Sequence, residues 1–175
     1  MAAQKERLKH LEAQLEVMQQ QHLAPGRTPP TPTSVISTAD VQTLRTRAAQ
    51  GDAKAQTALG VLHFVGGYNV SQDYSQARQW LEKAAVQGFA LGQFWLGRMY
   101  KDGSGVPQDY AQARQWLEKA ATQGNANAQF DLESLYAFGH GVPQDYAMAR
   151  LWYEKAAAQG MRMGSSVGIA YTLGP

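Results

Sequence analysis

One 36-residue segment recurs three times in this chain, and a recurrence of this length leaves few folds open. The most similar part of each copy is 17 residues long, and these parts start 36 residues apart: QDYSQARQWLEKAAVQG at 72–88, QDYAQARQWLEKAATQG at 108–124 and QDYAMARLWYEKAAAQG at 144–160. Self-similarity at a period of about 20 to 50 residues is typical of repeat proteins, in which each repeat buries its apolar surface against its neighbours. The recurrence therefore predicts a stack of repeats.

Each copy is predicted to form two helices, because Ala, Leu, Gln and Arg dominate its sequence and the breaks fall at Gly and Pro. The first helices are expected at about 53–64, 90–101 and 126–137, and the second helices follow the Q-D-Y motif. Gly88, Gly124 and Gly160 come directly after the second helices, where a left-handed glycine ends a helix. Each repeat should therefore be a helical hairpin, and the glycine at its end should let the chain turn into the first helix of the next repeat.

Polar residues at the start of the second helices indicate how these helices begin. Asp109 is a good N-cap, and Gln112 stands three residues later, where a capping box needs it. Asp73 and Gln76 have the same spacing. The loop before Asp73 is one residue longer than its counterparts, and we place the insertion near Tyr68 and Asn69.

Residues shared by two or by all three copies are predicted to pack. Gly60 and Gly97 fall inside first helices, where glycine costs about 0.5 to 1 kcal/mol relative to alanine, so a close helix crossing should compensate. Large aromatic residues at a fixed helical position supply contact between repeats. These residues are Tyr74, Tyr110, Tyr146, Trp80, Trp116 and Trp152.

The chain divides into three regions. Residues 1–23 are predicted to be a helical leader with Leu8, Leu11, Leu15 and Met18 at coiled-coil spacing; because two heptads are few for a stable helix, it is either a weak oligomerising helix or a frayed segment. Residues 24–37 form a Pro- and Thr-rich linker. The repeat domain covers 38–175 and comprises a cap helix (38–51), repeats at about 52–87, 88–123 and 124–159, and a partial repeat (160–175).

Composition excludes several classes of function. A net charge of +2 is too small to indicate a nucleic-acid partner, and no apolar run approaches membrane-spanning length. The chain has no cysteine, so disulfides and thiolate metal sites are absent. Residues 8–18 lack the uninterrupted apolar run of a signal peptide, which favours a cytoplasmic protein; a start further upstream would allow a periplasmic or secreted one.

The repeated residues resemble the Sel1-like repeat family. The pattern is A-A-x-x-G-x-A-x-A-Q-x-x-L-G, then G-x-G-V-P-Q-D-Y, then A-x-x-W-x-x-K-A-A, and residues 121–155 carry nearly all of it. Glu133 replaces the usual glycine, and Gly92 replaces the second alanine in the preceding copy. The resemblance implies an all-α, right-handed α-α superhelix (solenoid) related to tetratricopeptide repeats. It also implies a non-enzymatic adaptor that binds a protein or peptide on its concave face.

First-helix positions that differ between the copies are candidates for this binding face, because packing constrains a scaffold position and leaves a binding position free to vary. Helical spacing groups them on one side. The candidate partner-binding residues are Phe64, Leu91, Phe94, Arg98, Lys101 and Phe130. Aromatic and Arg side chains dominate binding hot spots, so Phe94 beside Arg98 and Lys101 would suit an acidic segment with an apolar residue. The alternative is that Phe94 and Phe130 pack against neighbouring helices.

Catalytic and metal-binding patterns are weak. His10, His22, His63 and His140 have no metal-ligand spacing, and neither a metal nor a cofactor is expected. Residues 164–168 match G-x-S-x-G, but the nucleophile elbow needs a strand before it and an acid and a His after it. Cysteine-rich relatives of the family suggest a β-lactam-binding or hydrolysing enzyme as the alternative. This chain lacks their cysteines, and no Lys follows a Ser at the S-x-x-K spacing.

Two modes of protein association follow. A monomer could bind its partner in the groove, or the chain could self-associate weakly through residues 1–23 or through the C-terminal half repeat, whose apolar side chains lack a partner helix. The sequence gives no identity for the partner.

Overall fold

The computed structural model describes residues 38–160, and the regular secondary structure of this part is α-helical. The helices are α1 (Thr38–Ala49), α2 (Ala53–Val65), α3 (Tyr74–Val86), α4 (Ala90–Asp102), α5 (Tyr110–Thr122), α6 (Ala126–Phe138) and α7 (Tyr146–Ala158). Thus α2, α4 and α6 are the predicted first helices, and α3, α5 and α7 are the second helices. The leader at 1–23, the linker at 24–37 and most of the partial repeat lie outside the described residues.

The chain forms two compact units, one ending at Ala84 and the other beginning at Ala85. In the N-terminal unit, α1 packs against α2, and Val41, Leu44 and Ala48 of α1 are buried. In the C-terminal unit, α4 packs against α5, α5 against α6, and α6 against α7. The core of each unit comes from small and branched apolar side chains such as Leu59 and Leu117.

An aspartate caps each second helix, as predicted for Asp73 and Asp109, and Asp145 does the same in the third repeat. The carboxylate of Asp109 accepts hydrogen bonds from the backbone amides of Ala111 (2.9 Å) and Gln112 (3.0 Å). The reciprocal half of the capping box was wrong, because the backbone amide of Asp109 donates instead to the carbonyl of Tyr100 at 2.9 Å. The cap therefore also joins the second helix to the first helix of the same repeat.

Left-handed glycines end the second helices, as predicted. Gly88, Gly124 and Gly160 have φ angles of 84°, 87° and 83°. The amide of Gly124 donates to Ala121 O (3.0 Å), and the amide of Asn125 donates to Ala120 O (3.1 Å). These two bonds satisfy carbonyls at the helix end and turn the chain into the next first helix.

A glutamine in the loop of each repeat ties the two helices together. Gln108 donates through Nε2 to Lys101 O at 2.8 Å, at the end of α4, and to the Tyr110 hydroxyl at 2.9 Å, at the start of α5. Gln72 and Gln144 make the corresponding bonds in the other repeats. The repeated Q-D-Y motif thus sets the geometry of the hairpin.

Two glycines allow the close helix crossing that the sequence predicted. A Cβ atom built on Gly60 would lie 2.6 Å from Leu81 Cγ, and one on Gly97 would lie 2.9 Å from Leu117 Cγ. Real Cβ atoms do not approach other atoms this closely. The close approach of α2 to α3, and of α4 to α5, therefore requires glycine.

The third repeat replaces both sides of this crossing. Glu133 stands where the other repeats have glycine, and Tyr153 stands where they have Leu81 and Leu117. Glu133 is 1% exposed, so a carboxyl group lies inside the packing of this repeat. The glycine and the leucine of the first two repeats are thus both replaced by larger side chains that end in a polar group.

The extra residue of the first repeat lies in a tight turn. Tyr68 and Asn69 have φ angles of 53° and 62°. On either side of them, Gly67 and Val70 exchange two backbone hydrogen bonds of 2.9 Å each. Two central residues with positive φ define a type I′ turn, which absorbs the longer loop locally.

Candidate functional site

The second helices carry the tryptophans that were predicted to pack. Trp152 is buried at 7% exposure, whereas Trp80 and Trp116 are half-buried. A lysine amino group lies over the ring in every case, at 4.4 Å for Lys83 on Trp80 and 4.1 Å for Lys119 on Trp116. The tryptophans therefore combine packing with a cation–π contact.

Buried glutamines connect consecutive helices of the C-terminal unit. Gln93 donates through Nε2 to Ala85 O at 3.2 Å, and its Oε1 accepts a bond from Gln123 at 2.8 Å. Gln129 repeats the arrangement with Ala121 O and Gln159. These glutamines bond at both ends, so they serve the scaffold.

A second network links α5 to α6. Arg114 donates to Glu118 at 2.7 Å, and the Tyr136 hydroxyl lies 3.3 Å from the same carboxylate oxygen. Burial raises the pKa of Tyr136, and the negative charge of Glu118 raises it further. The hydroxyl therefore stays protonated and able to donate at neutral pH.

The predicted binding residues of the C-terminal unit fall into two groups by burial. Phe94 is fully buried and contacts Trp95 edge-to-face, with ring centroids 5.5 Å apart. Leu91, Phe130 and Arg98 are half-buried. Phe94 thus occupies the packing position that the sequence left as its alternative, and the others reach the surface.

Phe64 belongs to the N-terminal unit. It is half-buried and contacts Tyr74 edge-to-face, with ring centroids 5.4 Å apart. It packs within the hairpin of its own repeat.

Both predicted cations of α4 have acidic partners. Arg98 lies 3.2 Å from Asp102 Oδ2, and its guanidinium lies 5.5 Å from the Trp95 ring. Lys101 Nζ lies 2.6 Å from Asp131 Oδ1. The second pair joins the first helices of two successive repeats, α4 and α6.

Asp131 is the residue that sequence reasoning missed. Its side chain is 2% exposed, so a carboxylate is held almost out of water by its pair with Lys101. The corresponding residues of the other repeats are Ala58 and Trp95. A position that holds Ala, Trp and Asp in three copies is as variable as the positions that were selected, and that variation was the available signal.

Along the faces of α4 and α6 that carry this ion pair, as helical spacing defines them, three of the buried polar atoms have no hydrogen-bond partner among residues 38–160. They are Arg98 Nη1, Asn127 Oδ1 and Asp131 Oδ2. Buried polar groups nearly always have partners in folded proteins, and an exception calls for an explanation such as a bound water, an ion or a functional role. We call Arg98, Lys101, Asn127 and Asp131 the α4–α6 polar cluster.

Metal and catalytic candidates gain no support from the described part of the chain. Residues 38–160 contain no group of three His, Cys, Asp or Glu side chains that could hold a metal ion. His140 is exposed and stacks on Tyr110, with ring centroids 4.7 Å apart. The G-x-S-x-G motif at 164–168 lies outside the described residues. Within those residues, no helix has the length and apolar character needed to cross a bilayer.

Residues 53–89, 90–125 and 126–161 each match the Sel1 repeat family, and the chain belongs to that family. The predicted family is thereby confirmed. No curated protein matches the chain.

Solved structures give the same result. A Sel1 repeat protein from Oxalobacter formigenes is 34% identical, with a TM-score of 0.67; the match covers 75% of this chain and 100% of that one. The protein c5321, a protective antigen of uropathogenic Escherichia coli with an SLR fold, is 36% identical with a TM-score of 0.69. That match covers 91% of this chain and 33% of c5321, so the chain corresponds to about a third of that protein.

A more distant structure shares the fold alone. Helicobacter pylori cysteine rich protein B is 20% identical, with a TM-score of 0.57, over 79% of this chain and 99% of its own. With the family match, these structures confirm the predicted all-α repeat solenoid. Sel1 repeat proteins generally mediate protein–protein interactions and are typically non-enzymatic scaffolds. The β-lactam alternative finds no support in these comparisons.

Proposed function

We propose that this chain is an interaction module that binds a protein segment on the face formed by the first helices α4 and α6 of its C-terminal unit. In the C-terminal unit, the contacting residues are Leu91, Arg98, Lys101 and Phe130, whereas Phe94 is buried and belongs to the core. Phe64 is the candidate of the N-terminal unit. The partner is a protein or peptide, as in the family generally.

The Lys101–Asp131 pair carries this proposal. An ion pair with a buried carboxylate seldom stabilises a fold relative to apolar side chains of similar volume, because removing a charge such as that of Asp131 from water is costly. The other repeats place Phe64 and Ala137 at the position of Lys101, and Ala58 and Trp95 at that of Asp131, so the fold does not need the pair. A costly arrangement that the scaffold does not need is best explained by recognition of a partner.

A selection of random peptides displayed on phage, against the immobilised full chain, supplies a ligand for the test. Binding of a selected peptide is measured by fluorescence anisotropy to wild type and to a Leu91→Asn, Arg98→Ser double variant. These substitutions introduce the residues that the third repeat carries at the same positions, Asn127 and Ser134, so the fold should accept them. We expect the affinity to fall at least about tenfold.

The matched control changes the same residue types on a second helix. Leu151→Asn with Arg150→Ser alters two exposed residues of α7, whose exposed fractions are 43% for Leu151 and 67% for the Arg150 side chain. We expect this variant to bind like wild type. Equal losses in both variants, or a loss in the α7 variant alone, would contradict binding on the first-helix face.

A further inference from the structure

The α4–α6 polar cluster has hydrogen-bonding capacity that the described residues leave unused. Lys101 Nζ donates a hydrogen bond to Asp131 Oδ1 at 2.6 Å, and Asp131 Oδ2 has no hydrogen-bond partner among residues 38–160. Asn127 Oδ1 on the same helix and Arg98 Nη1 on α4 are in the same situation. The cluster therefore offers two acceptors and one donor to an incoming group.

The charge of the cluster indicates what kind of group fits. Lys101 is neutralised by Asp131 and Arg98 by Asp102, so the four charges cancel. An added carboxylate or ammonium would leave an unbalanced charge at a part-buried place, which is unfavourable. A neutral group with both donors and acceptors suits the cluster better, and the peptide group has this chemistry.

The spacing of the two acceptors matches an extended main chain. Asn127 and Asp131 are four residues apart on one face of α6, which is about 6 Å along the helix axis. Amides two residues apart in an extended chain point the same way and lie about 6.6 Å apart. Two alternate N–H groups of such a segment can therefore meet both acceptors.

The side chains that flank the cluster can admit a ligand. The Arg98 and Lys101 side chains are 17% and 22% exposed, and both are long and flexible. Side-chain rotation at a surface is fast, so Arg98 and Lys101 can change rotamer when a ligand arrives. Asp131, at 2% exposure, is held more firmly than either of them.

We infer that the α4–α6 polar cluster binds the main chain of an extended, uncharged protein segment. Two alternate N–H groups donate to Asn127 Oδ1 and Asp131 Oδ2, and a carbonyl accepts from Arg98 Nη1. This inference rests on the proposed function, because it specifies what the first-helix face recognises. It predicts selectivity for backbone conformation and hydrogen bonding rather than for acidic side chains.

Amide-to-ester replacement tests this inference on a peptide from the selection. An ester removes one N–H donor and leaves the side chain in place. We expect two replacements, two residues apart, to weaken binding to wild type. The one facing the charged Asp131 should cost about tenfold and the one facing neutral Asn127 a few-fold, since bonds to charged groups are stronger.

Two protein variants assign each ester to its acceptor. Asn127→Leu and Asp131→Ala introduce the residues found in sister repeats, Leu91 and Ala58. Each variant should bind the all-amide peptide more weakly than wild type does. In each variant, the ester that faces the removed acceptor should cause no additional loss, whereas the other ester should still weaken binding. Gln115→Leu on α5 is the control and should leave both ester effects unchanged.

The outcomes separate this inference from the proposed function. A peptide that depends on Leu91 and Arg98 but tolerates every ester would overturn the inference and leave the proposed function standing. Selected peptides rich in Asp or Glu, with an affinity that falls steeply as salt is added, would also overturn the inference and leave the proposed function standing. A peptide that binds the Leu91→Asn, Arg98→Ser variant like wild type would contradict the proposed function itself.

Discussion

The first and second helices of this chain differ in how far their capping residues vary between repeats. The second helices begin at the same residue in every repeat, and Asp73, Asp109 and Asp145 each cap one through the side chain. The first helices begin at Asp52, Phe89 and Asn125, of which Phe89 makes no side-chain cap bond. The second helices thus hold the scaffold, and the first helices have been free to change.

The comparison extends to the helix interiors. Leu81 and Leu117 recur on the second helices and are fully buried. On the first helices, one column holds Val61, Arg98 and Ser134. What varies within one stack of repeats is therefore a guide to binding, whereas what repeats is a guide to packing.

The largest effect is expected where a first helix meets a second helix at the glycine crossing. Gly97→Glu places a side chain whose Cβ would lie 2.9 Å from Leu117 Cγ, so the free energy of unfolding should fall by about 3 kcal/mol or more. Adding Leu117→Tyr recreates the Glu133 and Tyr153 combination of the third repeat and should recover at least about 1 kcal/mol. Urea denaturation of the four proteins in this cycle measures the coupling. Strict additivity would show that the two changes in the third repeat are unrelated.

Substitutions of Lys101 and Asp131, the ion pair between two first helices, should lower the free energy of unfolding by smaller and unequal amounts. Lys101→Met leaves the 2%-exposed Asp131 carboxylate without its cation, and we expect a loss of about 2 kcal/mol. Asp131→Ala removes the charge together with its unpartnered oxygen, so the change should stay below about 1 kcal/mol. Both are measured by chemical denaturation. A larger loss for Asp131→Ala would mean that the pair serves the scaffold.

Removal of a second-helix cap should cost about 1 kcal/mol. Asp109→Ala deletes the acceptor for the Ala111 and Gln112 amides. Asp102→Ala, at the exposed end of a first helix, should change stability by less than about 0.5 kcal/mol. Thermal unfolding of both variants makes the comparison. Equal losses of stability in the two variants would contradict the distinction between fixed and variable helix ends.

The smallest effect concerns the cap of the first helix in the N-terminal unit. Burial raises the pKa of Asp52, but hydrogen bonds from the Ala55 amide and Arg47 outweigh it, so the pKa lies below its ordinary value of 3.8. A lowered pKa contributes stability above the unfolded value, and this contribution is lost as the pH falls through the folded value. Asp52→Asn should therefore reduce the drop in Tm between about pH 5 and about pH 2. An unchanged drop would show that the carboxylate adds nothing as an anion.

Much of the scaffold was predictable because its signals are local and repeated. The aspartate caps, the left-handed glycines and the close approach at Gly97 each follow from residue type and position in a 36-residue period. The capping box failed since the amide of Asp109 has a better acceptor in Tyr100, which belongs to the preceding helix. Rules based on neighbouring residues of one helix do not identify that carbonyl as the acceptor.

The candidate site was less predictable for a related reason. Lys101 and Asp131 are 30 residues apart, and only the packing of two repeats brings them within 2.6 Å. Phe94 was ambiguous, since an apolar residue on a variable column is compatible with either a core or a binding position. Arg98 and Lys101 were found from their variation, but their acidic partners were not.

Binding by the first helices can be tested directly by mapping a selected peptide on the isotopically labelled full chain by NMR. Upon titration, amide shifts in the C-terminal unit should concentrate in α4 and α6, around Leu91, Arg98, Asn127 and Asp131. The amides of α5 and α7 should move little. Shifts concentrated on α5 and α7, with α4 and α6 unperturbed, would contradict the division between a binding face and a scaffold.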